Sequence, residues 1–124
     1  MSPRPPNATP LIAIVDDEEV VRATLDDLLK SLGYSTLLFE TADSFLASGF
    51  EGPVDCIISD IQMPGTTGLQ LARLMKSRKV PIILITAFPT REVAQQAKAA
   101  GVQRILVKPF NSGDLVAELA RLLA

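Results

Sequence analysis

The sequence predicts an α/β fold in which a parallel sheet carries helices on both faces, and three observations lead there. From Leu11 to the end, short aliphatic runs alternate with segments of helical periodicity, the pattern of repeated βαβ units. The composition is 48% hydrophobic but only 5% aromatic, so Ala, Val, Ile and Leu fill the interior, as they do where helices pack on a parallel sheet. A length of 124 residues suits one domain with a substantial core and leaves no room for a second catalytic or DNA-binding unit, so any output activity is expected to lie elsewhere.

Five strand–helix pairs fit the chain. The strands are predicted at Leu11 to Val15, Thr36 to Phe39, Val54 to Ser59, Val80 to Ile85 and Arg104 to Val107, each short and rich in Ile, Val or Leu. The first, third and fourth read as buried on both faces. Helical stripes follow at Val21, Leu25, Leu28, Leu29 and Leu32, at Leu71, Leu74 and Met75, at Val93, Ala97 and Ala100, and at Leu115, Leu119 and Leu122. Gly33 and Gly101 stand where a left-handed residue ends a helix, and Asn111 or Ser112 can cap the last one. The second helix, Asp43 to Ser48, is the weakest element, short and bordered by the turn-rich stretch from Ser48 to Pro53, and is a candidate for irregular structure.

Composition also excludes functions. The chain has no histidine, which removes Ser-His-Asp triads, Cys-His pairs, most zinc sites and any role as a histidine phosphodonor. A net charge of -2 without a dense basic run gives no footprint for nucleic acid. Cys56 sits in an apolar stretch with no disulfide partner, reads as a buried hydrophobe, and suits a reducing cytoplasm. Met1 to Pro10 carries four prolines, one Arg and no apolar core, so it is neither secretory signal nor membrane anchor. Residues 1–9 are expected to form a flexible tail and residues 10–124 the folded domain.

Chemistry must therefore run on carboxylates, hydroxyls and lysine. In an open α/β sheet, ligands bind beyond the carboxyl ends of the strands. The first strand ends in Asp16-Asp17, the third in Asp60, the fourth in Thr86, and the fifth runs into Lys108. Three like charges at one edge repel by roughly 4 kcal/mol per close pair at an effective dielectric constant of 20. Hard oxygen donors suit Mg²⁺, which keeps several waters and bridges carboxylates to phosphate oxygens, and Lys108 supplies further positive charge. Asp60 can attack phosphorus without a general base to give an aspartyl phosphate. The loose transition state of phosphoryl transfer then asks mainly for positioning and electrostatics, with Thr86 donating to one phosphoryl oxygen and Lys108 pairing with another. Glu18 and Glu19, by contrast, read as an acidic first turn favoured by the helix dipole.

Asp16-Asp17, Asp60-Ile61-Gln62-Met63-Pro64-Gly65, Thr86-Ala87 and Lys108-Pro109-Phe110 together resemble the signature of response-regulator receiver domains, the CheY-like family of two-component phosphorelay signal transduction. The resemblance covers nearly the whole chain. It implies a flavodoxin-like five-stranded sheet of order 2-1-3-4-5 with five helices. It also implies metal contacts from Asp17, Asp60 and the Gln62 backbone carbonyl, an Asp16 contact through water, Mn²⁺ as a substitute for Mg²⁺, and a cis Lys108-Pro109 bond. The domain is then a phosphoacceptor switch that assists its own phosphorylation and autodephosphorylation rather than an enzyme. By the same resemblance, a sensor histidine kinase or histidine phosphotransfer protein is expected to donate the phosphoryl group, and the face of helix 4, strand 5 and helix 5 to meet partners, an effector domain or a second copy.

Two positions depart from that pattern. The family's aromatic residue three before the lysine is Ile105 here, and a branched aliphatic cannot make the aromatic rotation, so the switch is expected to run through the loop and the fourth helix. Phe88, two residues after Thr86, offers no hydrogen bond to an attacking water, which predicts slow autodephosphorylation. Competing readings are weaker. A haloacid-dehalogenase-like hydrolase carries a second Asp where Gln62 stands. A pseudo-receiver interaction module would not need Asp60, Thr86 and Lys108. A nucleotide-binding protein would carry a Gly-rich loop after the first strand.

Overall fold

Each strand is an aliphatic run whose alternate side chains point to opposite faces, and the two sets of side chains form two separate core layers. A computed structural model describes residues 9–49 and 53–123, and its elements follow in the order β1 (Leu11–Val15), α1 (Glu19–Ser31), β2 (Ser35–Phe39), α2 (Ala42–Ala47), β3 (Cys56–Asp60), α3 (Gly68–Lys76), β4 (Ile82–Thr86), α4 (Arg91–Ala99), β5 (Arg104–Val107) and α5 (Ser112–Leu123). All strand pairs are parallel, and the order is β2-β1-β3-β4-β5. On one face Ile12, Ile14, Ile58, Ile83 and Ile85 pack against Leu25 and Leu29 of α1 and Leu115 and Leu119 of α5. On the other, Ala13, Val15, Ile57 and Leu84 meet Phe45 of α2, Leu71 and Met75 of α3, and Ala97 of α4. As expected, β3 and β4 are buried throughout and β1 nearly so.

The boundaries differ locally from the predicted ones for identifiable reasons. The strand expected from Val54 begins at Cys56: at Asp55 the side-chain carboxylate takes the Leu11 N–H at 2.7 Å, while the Asp55 N–H donates to the Leu11 carbonyl at 2.8 Å. The strand expected from Val80 begins at Ile82, after Pro81, which has no N–H to give a neighbour. The weak α2 is a regular helix rather than an irregular segment: Thr41 caps it by accepting from the Ser44 N–H at 3.0 Å. Its Phe45 is fully buried with its ring edge against Phe39, centroids 5.3 Å apart. Gly33 and Gly101 take φ of +91° and +77°, and Asn111 caps α5 through the Gly113 N–H at 2.6 Å. The tail expected at residues 1–9 lies, apart from Thr9, outside the described residues, as do positions 50–52 of the turn before β3. Among the described residues no helix is long and apolar enough to cross a membrane.

Candidate functional site

The sheet order sets β1 beside β3 at its centre, with successive connections leaving to opposite sides, so a crevice opens beyond the carboxyl ends of these strands. Register then decides what lines it. Val15 pairs with Ser59, Asp60 with Ile85 and Thr86 with Val107, so Asp16, Asp60, Thr86 and Lys108 sit at one edge, each at or just beyond its strand's last residue. Asp16, Asp60 and Thr86 are buried, with 1%, 5% and 0% of their surface exposed. Asp17 is exposed.

Lys108 gathers the charges. Its Nζ lies 3.3 Å from Asp60 Oδ2, 3.5 Å from Asp16 Oδ2 and 3.2 Å from Glu18 Oε1. The peptide bond from Lys108 to Pro109 is cis. Burial pulls the Lys108 ammonium toward a lower pKa, but the Glu18 hydrogen bond and the charges of Asp16 and Asp60 hold it above its ordinary value. Burial raises the pKa of Asp60 against the downward pull of Lys108, and Asp17 adds to the rise. Burial likewise raises Asp16, although its Oδ1 accepts from the Glu18 N–H at 2.8 Å. Burial opposes the charge on both carboxylates, the condition under which a cation is welcome. Asp16, Asp17, Glu18 and Asp60 each offer a carboxylate oxygen, all within 4.8 Å of one another. That donor set consists of hard oxygens and fits a Mg²⁺-class ion.

The other predicted residues fall around this cluster. Thr86 Oγ1 donates to Gln62 Oε1 at 3.2 Å and accepts from the Phe88 N–H at 3.0 Å. The Gln62 side chain is thus engaged with Thr86, whatever its backbone carbonyl does. The Phe88 ring is 67% exposed. Ile105 is half-buried, opposite Leu84 in register, and packs into the layer that holds Val93 and Ala97 of α4.

Glu18 does more than the acidic helix start expected of it: it occupies the N-cap position of α1 without capping through its side chain, which reaches Lys108. The signal was a third acid directly after Asp16-Asp17, whose partner lies 90 residues further on. Two supports also went unseen. Ser59 donates to the Asp60 carbonyl at 2.8 Å, and Arg22 donates to the Asp16 carbonyl at 2.6 Å while its other nitrogen lies 3.7 Å from Glu40.

The family model of the response regulator receiver domain matches residues 12–120. The chain is a response-regulator receiver domain. As a receiver it is similar to the transcriptional regulatory protein FixJ of Bradyrhizobium diazoefficiens, 33% identical over 108 residues that make up 86% of this chain and 53% of FixJ. It is also similar to the transcriptional regulatory protein ResD of Bacillus subtilis, 34% identical over 113 residues, 90% of this chain and 47% of ResD. The receiver thus spans about half the length of these curated relatives. Among solved structures, the chemotaxis protein CheY4 of Vibrio cholerae superposes with a TM-score of 0.84 at 31% identity, covering 93% of this receiver and 99% of CheY4. The CheY-like fold, the strand order and the membership in two-component signalling expected from the sequence all stand, and phosphorylation on aspartate is the role of this family.

Proposed function

We propose that Asp60 is the phosphoacceptor of this receiver and that Lys108 and Thr86 orient and neutralise the incoming group. The observation that carries the reading is a buried Asp60 carboxylate 3.3 Å from an ammonium that also holds Asp16 and Glu18. An Asp60 oxygen forms the new P–O bond as the P–N bond of a phosphohistidine donor breaks, with the bonding pair staying on the donor imidazole. Asp60 needs no general base, since it attacks as the carboxylate. Lys108 stays close enough to follow charge from the carboxylate to the phosphoryl oxygens, and the Thr86 hydroxyl exchanges Gln62 for a phosphoryl oxygen. Asp17, Asp60 and the Gln62 carbonyl would hold Mg²⁺, or Mn²⁺ in its place, with Asp16 acting through water. When bound, that ion offsets the negative charge collecting on the phosphoryl oxygens.

A sensor histidine kinase or histidine phosphotransfer protein in the cytoplasm is the donor. The readers are a second copy or an effector domain at α4, β5 and α5, without direct contact to nucleic acid or membrane. Ile105 packs against the same core layer as Val93 and Ala97, so the movement of Thr86 would reach α4 through that aliphatic layer and the loop carrying Phe88. Intact mass after incubation with acetyl phosphate tests the reading. One phosphoryl adduct that requires Mg²⁺ and vanishes with a chelator is expected, and its absence with both acetyl phosphate and a phosphohistidine donor contradicts the assignment.

Lifetime is a separate prediction. Phe88 presents an exposed ring where a side-chain hydrogen bond could align an attacking water, so the aspartyl phosphate should decay slowly and Phe88→Glu should shorten its half-life several-fold. An adduct that decays at the same rate in both proteins would remove this explanation.

A further inference from the structure

The chain between Asp60 and α3 leaves the site and returns at once. The Gly68 N–H donates to the Ile61 carbonyl at 3.0 Å, closing residues 62–67 into a loop that begins with Gln62. Its far side is held from another element. Asp43, in the first turn of α2, accepts from the Thr66 hydroxyl at 2.6 Å on one carboxylate oxygen and from the Thr66 backbone N–H at 3.1 Å on the other. Both bonds favour the ionised acid and lower its pKa. Gly65 makes the approach feasible: its φ is +76°, and a Cβ there would stand 2.4 Å from Asp43 Oδ2. The anchor is fixed in turn, because Ala42 and Phe45 on either side of Asp43 are fully buried.

A six-residue loop closed only at its base retains backbone freedom that an ion must remove on binding, at an entropic cost. A second attachment at Thr66 removes that freedom beforehand. We propose that Asp43 is a positioning residue for the acceptor site: its two-pronged bond to Thr66 fixes the 62–67 loop, and with it Gln62 beside Asp60 and Thr86, in the form that takes up Mg²⁺. The proposal rests on the acceptor reading given above, since it assigns Gln62 to the ion's surroundings.

Calorimetric titration of Mg²⁺ into the full chain and its variants tests it, together with amide exchange of residues 62–67 in the ion-free protein. Asp43→Ala and Thr66→Ala should each weaken Mg²⁺ binding by about 3- to 10-fold, the range for loss of one ordinary net hydrogen bond. The double variant should be no weaker than Asp43→Ala, which already removes both bonds, whereas Thr66→Ala keeps the one from the backbone N–H. Asp43→Asn, which keeps an acceptor only for the hydroxyl, should fall between, and Thr66→Ser should restore binding. Loop amides should exchange faster in the Ala variants, while the uptake of phosphoryl from acetyl phosphate at saturating Mg²⁺ should stay within about twofold of the parent. If the parent binds Mg²⁺ and both Ala variants bind it equally well, or if their losses add, the latch is overturned and the acceptor reading stands. If the parent takes up neither Mg²⁺ nor phosphoryl group, the acceptor reading fails and carries the latch with it.

Discussion

Asp60→Asn should melt about 5 °C higher than the parent receiver in chelator, corresponding to about 1–2 kcal/mol at neutral pH. The carboxylate is 5% exposed, and its charge is opposed by burial and by Asp17. Like charges this close cost roughly 4 kcal/mol per pair at an effective dielectric constant of 20, and Lys108 offsets only part of that. Asparagine keeps the shape and removes the charge, while Lys108 retains Asp16 and Glu18. The pH dependence has a defined sign. A carboxyl with a raised folded pKa binds its proton more tightly in the folded chain, so stability falls as pH rises from the unfolded value of about 3.9 through the folded one. The advantage of Asp60→Asn should therefore be small below that window and complete above it. Saturating Mg²⁺ should narrow or reverse the gap, since a ligand that binds only the folded state stabilises it. Thermal melts with and without the ion check this, and a lower melting temperature for Asp60→Asn in chelator would mean that the site's charges are already balanced.

Gly68→Ala should destabilise the receiver by about 2–3 kcal/mol, the cost of overpacking a site that cannot relax, and should slow phosphoryl uptake. Gly68 begins α3, where alanine is the better helix former, so local propensity points toward stabilisation. Space decides otherwise. A Cβ at Gly68 would stand 2.3 Å from the Asp60 carbonyl oxygen, 2.9 Å from Ile61 Cα and 3.0 Å from the Asp60 carbonyl carbon. All three are backbone atoms, so no side chain can swing aside, and relief requires moving the acceptor itself. Urea titration measures the loss, and an unchanged midpoint would show that α3 can shift without disturbing Asp60.

Legibility in the sequence followed the range of the interactions. The strands were readable because buried parallel strands are continuous aliphatic runs, and the site was readable because Asp16, Asp60, Thr86 and Lys108 each end or follow such a run. What joins distant segments was not. Glu18 looks like any acid in a first helical turn until the fold brings Lys108 to it. Asp43 looks like a helix-dipole acid until Thr66, 23 residues later, is seen to bind both its oxygens. The start of β3 moved at Asp55, whose side chain satisfies the Leu11 N–H, an exchange that hydrophobic pattern does not encode. Gly68 reads in sequence as a poor helix residue, and its role is visible only once Asp60 is packed against it.

The measurement that bears most directly on the central claim is location of the phosphoryl group. The receiver would be phosphorylated with acetyl phosphate and Mg²⁺, reduced with borohydride to convert any aspartyl phosphate to homoserine, and sequenced by tandem mass spectrometry, with Asp60→Asn in parallel. Homoserine at position 60 alone, and none in Asp60→Asn, is the predicted result. Homoserine at position 16 or 17, or an undiminished yield in Asp60→Asn, would contradict the assignment of Asp60 as acceptor.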